Sequence, residues 1–103
     1  MALLHLKKEN FDATIGEGVS LVDFWAAWCG PCRMLGPVID ELAAKHESQY
    51  KICKVNVDEQ EELAARFGVM TIPTVILFKD GKELDKRVGV HPVEAFEEML
   101  NKA

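Results

Sequence analysis

The hydrophobic positions of this chain fall into short blocks whose spacing changes repeatedly between that of strands and that of helices. Five segments are predicted to be strands, at residues 3–6, 19–27, 50–57, 74–79 and 82–88. The second segment is almost continuously apolar, which is typical of a central strand covered on both faces. Asp80-Gly81 stands between the last two segments and predicts a two-residue hairpin turn.

The other apolar blocks have helical spacing and predict four helices. Phe11 and Ile15, four residues apart, mark the first, and the long second helix is apolar at positions 35, 38, 39, 42 and 43. The third is expected to start at the D-x-x-E signal of Asp58 and Glu61, and Pro92 can open the fourth.

The predicted order of elements is therefore β-α-β-α-β-α-β-β-α. A hairpin at the end of a βαβ series predicts an α/β fold with a central mixed sheet and helices on both faces. The chain has 103 residues and contains no repeat or linker, so we expect a single domain over residues 1–103.

The composition of the chain argues against some classes of binding partner. The formal net charge is −5, which argues against nucleic acid and anionic membranes, since both bind basic surfaces. The N-terminus lacks a basic start followed by an apolar stretch, and no segment reaches the roughly 20 apolar residues of a membrane span. We expect a cytoplasmic monomer.

The most informative motif is Cys29-Gly30-Pro31-Cys32, at the junction between a predicted central strand and a helix. Sites gather at the carboxyl ends of strands in open α/β sheets. The start of a helix also offers unpaired N–H groups and the positive end of a dipole, both of which favour a thiolate. We expect Cys29 to be the exposed nucleophile and Cys32 to be shielded in the first turn.

Two other interpretations of the cysteine pair remain open. The pair could belong to a zinc site with His46 and Cys53, although His46 would lie about 21 Å along the helix from Cys32. Alternatively, both thiols could be inert and buried. A redox pair is favoured by the strand-to-helix context, and Cys53 is expected to be a core residue rather than a redox sensor.

Asp23 is unusual because a carboxylate inside an apolar strand is costly unless it is neutralised or paired. It could lie at the strand end or bind water. It could also be a buried acid with a raised pKa that exchanges a proton with Cys32. Lys54 could temper that pKa as a nearby cation, or be an ordinary solvated lysine. Trp25 is expected to be mainly a core residue.

Several motifs occur together in this chain: the run Asp-Phe-Trp-Ala-Ala-Trp-Cys-Gly-Pro-Cys at 23–32, Pro37, Lys54, Ile72-Pro73-Thr74 and Gly89. Through these motifs the chain resembles the thioredoxin family over nearly its whole length. The resemblance implies a dithiol that reduces disulfides of other proteins, a proton-transfer role for Asp23 and a cis peptide bond before Pro73. It also implies a flat docking surface for an extended substrate segment beside the cysteines, formed by Trp28, Gly30, Pro31, Thr71, Ile72, Gly89 and Val90.

The predicted function is that of a protein-disulfide reductase. Cys29 attacks the substrate disulfide, and Cys32 resolves the mixed disulfide with help from Asp23. No bound cofactor or metal is expected, because a partner reductase, such as a flavin-dependent enzyme, resets the disulfide. Two alternative functions remain. The protein could be a binding module without turnover, or an oxidase or isomerase whose reduction potential differs from that of a reductase.

Overall fold

A computed structural model describes residues 3–103 of the chain. Its elements are β1 (Leu3–His5), α1 (Phe11–Ile15), β2 (Val19–Trp25), α2 (Gly30–His46), β3 (Lys51–Asn56), α3 (Glu61–Arg66), β4 (Thr74–Lys79), β5 (Lys82–Val88) and α4 (Val93–Asn101). The order of strands and helices predicted from the sequence is confirmed.

The five strands form one mixed sheet in the order β1-β3-β2-β4-β5. β3 runs parallel to both β1 and β2, whereas β4 is antiparallel to β2 and to β5. β2 therefore lies in the middle of the sheet, with hydrogen-bonded neighbours on both sides. This position explains its nearly continuous apolar sequence, since a central strand meets protein on both faces.

Successive side chains of β2 alternate between two hydrophobic layers. Leu21 belongs to the layer that contains buried residues of α2 and α4, such as Leu42 and Phe96. Val22 belongs to the opposite layer, where Phe11 of α1 and Leu63 of α3 pack. Helices thus cover both faces of the sheet, as predicted for the fold class. No helix of residues 3–103 is long and apolar enough to cross a bilayer.

The hairpin predicted at Asp80-Gly81 is confirmed. Both residues have positive φ angles, 48° and 86°, as the two central residues of a tight hairpin turn require. The turn is also tied to the start of β2. The N–H of Asp80 donates to the carbonyl of Gly18 at 2.9 Å, and the N–H of Gly18 donates to the Asp80 carboxylate at 2.7 Å.

The predicted start of the third helix is wrong. α3 begins at Glu61 with Gln60 in the capping position, so Asp58 does not cap it. The reason lies one turn earlier, where the side-chain oxygen of Asn56 accepts hydrogen bonds from the N–H groups of Asp58 and Glu59 at 2.9 and 3.3 Å. This local turn uses the donors of the segment and leaves the Asp58 carboxylate free for another partner.

Candidate active site at the start of helix α2

Cys29 and Cys32 lie where the chain leaves β2 and enters α2. Cys29 is the N-cap residue of the helix and Cys32 lies in its first turn. Their sulfur atoms are joined in a disulfide, and their Cα atoms are 5.2 Å apart. The two residues that separate them, Gly30 and Pro31, are the first residues of the helix, where proline is favoured because it has no N–H to leave unpaired.

The helix start supplies a hydrogen bond to the Cys29 sulfur. The N–H of Cys32 donates to Cys29 Sγ at 3.1 Å, as an N-cap side chain normally accepts from the first turn. An amide N–H and the positive end of the dipole of a 17-residue helix both stabilise negative charge at this sulfur when the disulfide is open. The junction therefore favours a reactive thiolate at position 29.

The prediction that Cys29 is exposed and Cys32 shielded is wrong for the disulfide form. Cys29 is 4% exposed and Cys32 is 3% exposed, so the two residues are equally buried. The physical reason is that both cysteines belong to one apolar cluster with Ala26, against which Ile72 packs. The Ile72 carbonyl oxygen lies 3.7 Å from Cys29 Sγ.

The loop that carries Ile72 is held beside the cysteines. The peptide bond between Ile72 and Pro73 is cis, as the resemblance implied. The Thr74 hydroxyl donates to the carbonyl of Thr71, and the N–H of Gly89 donates to the carbonyl of Pro73 at 2.9 Å. Gly89 has a φ of 94°, a conformation that side chains other than glycine rarely adopt. These bonds join the end of β5 to the cis-proline loop.

Trp28 precedes the cysteine pair and points outwards. Its side chain is 68% exposed, so it does not pack in the core. Its indole N–H donates to the Asp58 carboxylate at 2.9 Å. The sequence reasoning missed Asp58 as a member of this site, because its spacing to Glu61 was interpreted as a helix start.

The rest of the predicted docking surface is partly exposed. Pro31 and Thr71 are exposed, Val90 is 40% exposed, and Ile72 and Gly89 are intermediate. Two large apolar side chains near these sequence positions, outside the predicted docking surface, are also exposed. Met34 is 68% exposed and Met70 is 96% exposed, although no sequence signal distinguishes them from core methionines.

Asp23 is a buried acid. It is 1% exposed, and in the described chain neither of its carboxyl oxygens has a hydrogen-bond partner. Burial raises the pKa of Asp23 to about 7, against the smaller opposing effect of the Lys54 charge. Lys54 is its register partner on β3, and the Lys54 ammonium lies over the Trp25 ring, 4.5 Å from its centroid.

The residues weighed as zinc ligands are spread over the molecule. Cys53 lies in the hydrophobic layer opposite α2, where burial raises the pKa of its thiol to about 12. His46 pairs instead with Glu97 at 2.8 Å. Within residues 3–103, no group of three or more potential ligands could hold a metal ion.

A cysteine pair that closes a disulfide at a strand-to-helix junction, facing a cis-proline loop, defines a thiol–disulfide oxidoreductase. The family model for thioredoxin matches residues 2–102. Thioredoxins of Staphylococcus haemolyticus and Staphylococcus aureus are 51% and 50% identical over 102 residues, which cover 99% of this chain and 98% of each relative.

Solved structures agree with the sequence comparison. The thioredoxin of Malassezia sympodialis superposes with a TM-score of 0.88 at 32% identity, covering 96% of this chain and 89% of that one. A mutant thioredoxin of Halobacterium salinarum gives 0.89 at 34% identity, covering 97% and 88%. The chain belongs to the thioredoxin family. It is a disulfide reductase that acts on disulfide substrates and is itself reduced by a reductase.

Proposed function

We propose that the reaction begins when the Cys29 thiolate attacks one sulfur of a substrate disulfide. A mixed disulfide forms, and the other substrate sulfur leaves as a thiolate that takes up a proton. Cys32 then loses its proton and attacks Cys29 Sγ, which releases the second substrate thiol. Two electrons pass to the substrate, and the protein is left with the Cys29–Cys32 disulfide.

The observation that carries this proposal is the position of the pair on α2. Cys29 caps the helix and accepts the Cys32 N–H at 3.1 Å, so its sulfur has the environment that stabilises an attacking thiolate. Cys32 lies three residues further on, close enough to bond to the same sulfur.

Asp23 is proposed to take the proton from Cys32 and to return it in the reverse direction. Two features support this role. A pKa of about 7 allows the carboxyl group to be both protonated and ionised near neutral pH, which is what a proton carrier needs. The carboxyl oxygens also lack competing partners in the part of the chain that the structure describes.

The substrate is proposed to dock as an extended segment against the cis-proline loop. Trp28, Pro31, Thr71 and Val90 are exposed around the cysteine pair and would contact its side chains. An extended segment lying there would meet the loop of Ile72 and Pro73, whose position is supported by the bond from Gly89.

The setting of the protein is also proposed. Residues 1–103 act as one domain and as a monomer in the cytoplasm, without a bound cofactor or metal. The reductase that resets the disulfide is proposed to be a flavin-dependent enzyme. These statements rest on the sequence composition and on the family resemblance.

Insulin reduction with dithiothreitol as electron donor tests the proposal. We expect Cys29→Ser to abolish catalysis, because Cys53, the free cysteine of the described residues, is buried and cannot replace it. Cys32→Ser should accumulate a mixed disulfide at Cys29 that is visible by mass spectrometry. Cys53→Ala is the matched control and should retain the wild-type rate. Equal rates for wild type and Cys29→Ser would disprove the mechanism.

The role of Asp23 needs a separate measurement. In rapid-mixing experiments, Asp23→Asn should slow resolution of the mixed disulfide at least about 100-fold more than its formation, the lower end of a general base contribution. An unchanged resolution rate would remove Asp23 from the proton path while leaving the roles of the cysteines intact.

A further inference from the structure

Three side chains of the central sheet meet on the face that α2 covers. Asp23 and Trp25 are two residues apart on β2, so both point to the same side of the sheet. Lys54 is the register partner of Asp23 on the parallel neighbour β3 and points to that side as well. The strand register thus places a carboxyl group, an ammonium group and an indole ring on the same side of neighbouring strands.

The position of the Lys54 ammonium shows which neighbour holds it. Lys54 Nζ lies 4.5 Å from the centroid of the Trp25 ring, well inside the range of a cation–π contact. Neither oxygen of Asp23 has a hydrogen-bond partner within residues 3–103, so the ammonium is not bonded to the carboxyl group. Trp25 itself packs against the cluster of Cys29 and Cys32.

We propose that Trp25 is a positioning residue for the reduction reaction: its ring holds the Lys54 ammonium and so keeps the Asp23 carboxyl group free to take up and release a proton. This inference rests on the proton-transfer role of Asp23 proposed above. An ammonium bonded directly to Asp23 would hold the carboxyl group ionised, because a close opposite charge stabilises the charged form. When the ring holds the ammonium group, its positive charge still acts on Asp23 through space, but no hydrogen bond joins the two groups.

The charged surroundings of Asp23 are simple enough to test this idea. On β3 the facing group is Lys54, and on β4 the register partner is the apolar Val75. α2 crosses the same face. At this end of α2, Arg33 is exposed and bonds to the carbonyl of Ala27, and Cys29 and Cys32 do not ionise in the disulfide form. In the oxidised protein, Lys54 is therefore the neighbour whose charge acts on Asp23.

The experiment is a titration of the Asp23 carboxyl carbon by ¹³C NMR in the oxidised protein, from about pH 4 to about pH 10. The variants are Trp25→Phe, Trp25→Leu, Lys54→Met and each Trp25 variant combined with Lys54→Met. Trp25→Leu releases the ammonium toward Asp23, so the midpoint should fall by about one pH unit. Trp25→Phe should give a smaller fall, because phenylalanine binds cations less strongly than tryptophan.

The combined variants separate a charge effect from a packing effect. If Trp25 acts through Lys54, its substitution should leave the midpoint of the Lys54→Met protein unchanged. The proposal is overturned if Trp25→Leu keeps the wild-type midpoint, or if the fall persists in the Lys54→Met background. Should Trp25→Leu fail to fold, Trp25→Phe with and without Lys54→Met carries the same comparison.

The titration does not depend on turnover. A midpoint shift that requires Lys54 supports the coupling even if Asp23→Asn leaves resolution of the mixed disulfide unchanged. In that case the proton-transfer role fails and the placement of Lys54 by Trp25 stands. Absence of the shift, with slow resolution in Asp23→Asn, disproves the placement and retains the role of Asp23.

Discussion

The indole N–H of Trp28 donates a 2.9 Å hydrogen bond to the carboxylate of Asp58, thirty residues away along the chain. This bond joins the residue before Cys29 to the turn between β3 and α3. A side chain that is 68% exposed has few packing contacts to hold it, so the bond to Asp58 is the contact that fixes the ring beside the cysteines.

Asp58→Ala is therefore expected to lower the activity toward protein substrates. A hydrogen bond to a charged group contributes about 1.5 kcal/mol, so kcat/KM for insulin reduction should fall about tenfold. Reduction of a small aromatic disulfide, which does not need an extended docking surface, should keep its rate. Steady-state kinetics with both substrates provide the measurement.

Two matched variants make the result specific. Asp58→Asn keeps an oxygen that can accept from Trp28 and should retain most of the activity toward insulin. Glu59→Ala removes a neighbouring charge without touching the bond. An equal loss in Glu59→Ala would mean that the acidity of the turn, and not the position of Trp28, governs substrate docking.

The buried acid should make the stability of the protein depend on pH. The pKa of Asp23 is raised from its ordinary value of 3.8 to about 7 in the folded protein, because burial disfavours the charged form. The folded state therefore holds a proton that the unfolded state has lost between these two values, and stability falls as the pH rises through this window. Above about pH 7 the accumulated loss is roughly 4 kcal/mol.

Asp23→Asn removes this dependence. Its stability relative to the wild type, measured by urea unfolding of the oxidised proteins, should rise by roughly 4 kcal/mol between about pH 4 and about pH 8. Any cost of burying the amide is the same at both pH values and cancels in the comparison. A difference between the two proteins that does not change with pH would show that the pKa of Asp23 is not raised in the folded state.

Much of the fold could be predicted because its signals are local. The apolar run before Cys29 identified the central strand. The dipeptide Asp80-Gly81 identified the hairpin, because both residue types tolerate the positive φ angles that the turn requires. The order of elements then predicted a mixed sheet with helices on both faces. The spacing of positions 29 and 32 identified the reactive pair, because it places both residues at the start of one helix.

The errors concern contacts between residues that are distant in sequence. The D-x-x-E pattern predicted a helix cap at Asp58, but Asn56 satisfied the local N–H groups and Trp28 bonds to the carboxylate. The exposure of Cys29 depended on Ile72, which packs against the disulfide from another loop. Neither contact has a local sequence signal, so only the assembled structure reveals them.

Cys53 should behave as an inert core thiol. It is fully buried, and burial raises the pKa of its thiol to about 12, so the thiolate is absent at neutral pH. In the reduced, folded protein, iodoacetamide should modify Cys29 and leave Cys53 unmodified, as mass spectrometry of the peptides would report. Labelling of Cys53 at a rate similar to that in urea would contradict its burial.

Asp80 offers the clearest stability test away from the active site. Its carboxylate accepts from the N–H of Gly18 at 2.7 Å, and its φ of 48° suits asparagine and aspartate better than alanine. Asp80→Ala loses the bond and strains the turn, so the free energy of unfolding should fall by about 1–2 kcal/mol.

Asp80→Asn keeps an acceptor and tolerates the angle, and should lose less than half as much. Lys82→Ala, at an exposed position two residues later, should stay within about 0.5 kcal/mol of the wild type. Urea unfolding of the three variants measures these differences. If Asp80→Asn is as unstable as Asp80→Ala, the carboxylate charge, rather than the bond to Gly18, stabilises the turn.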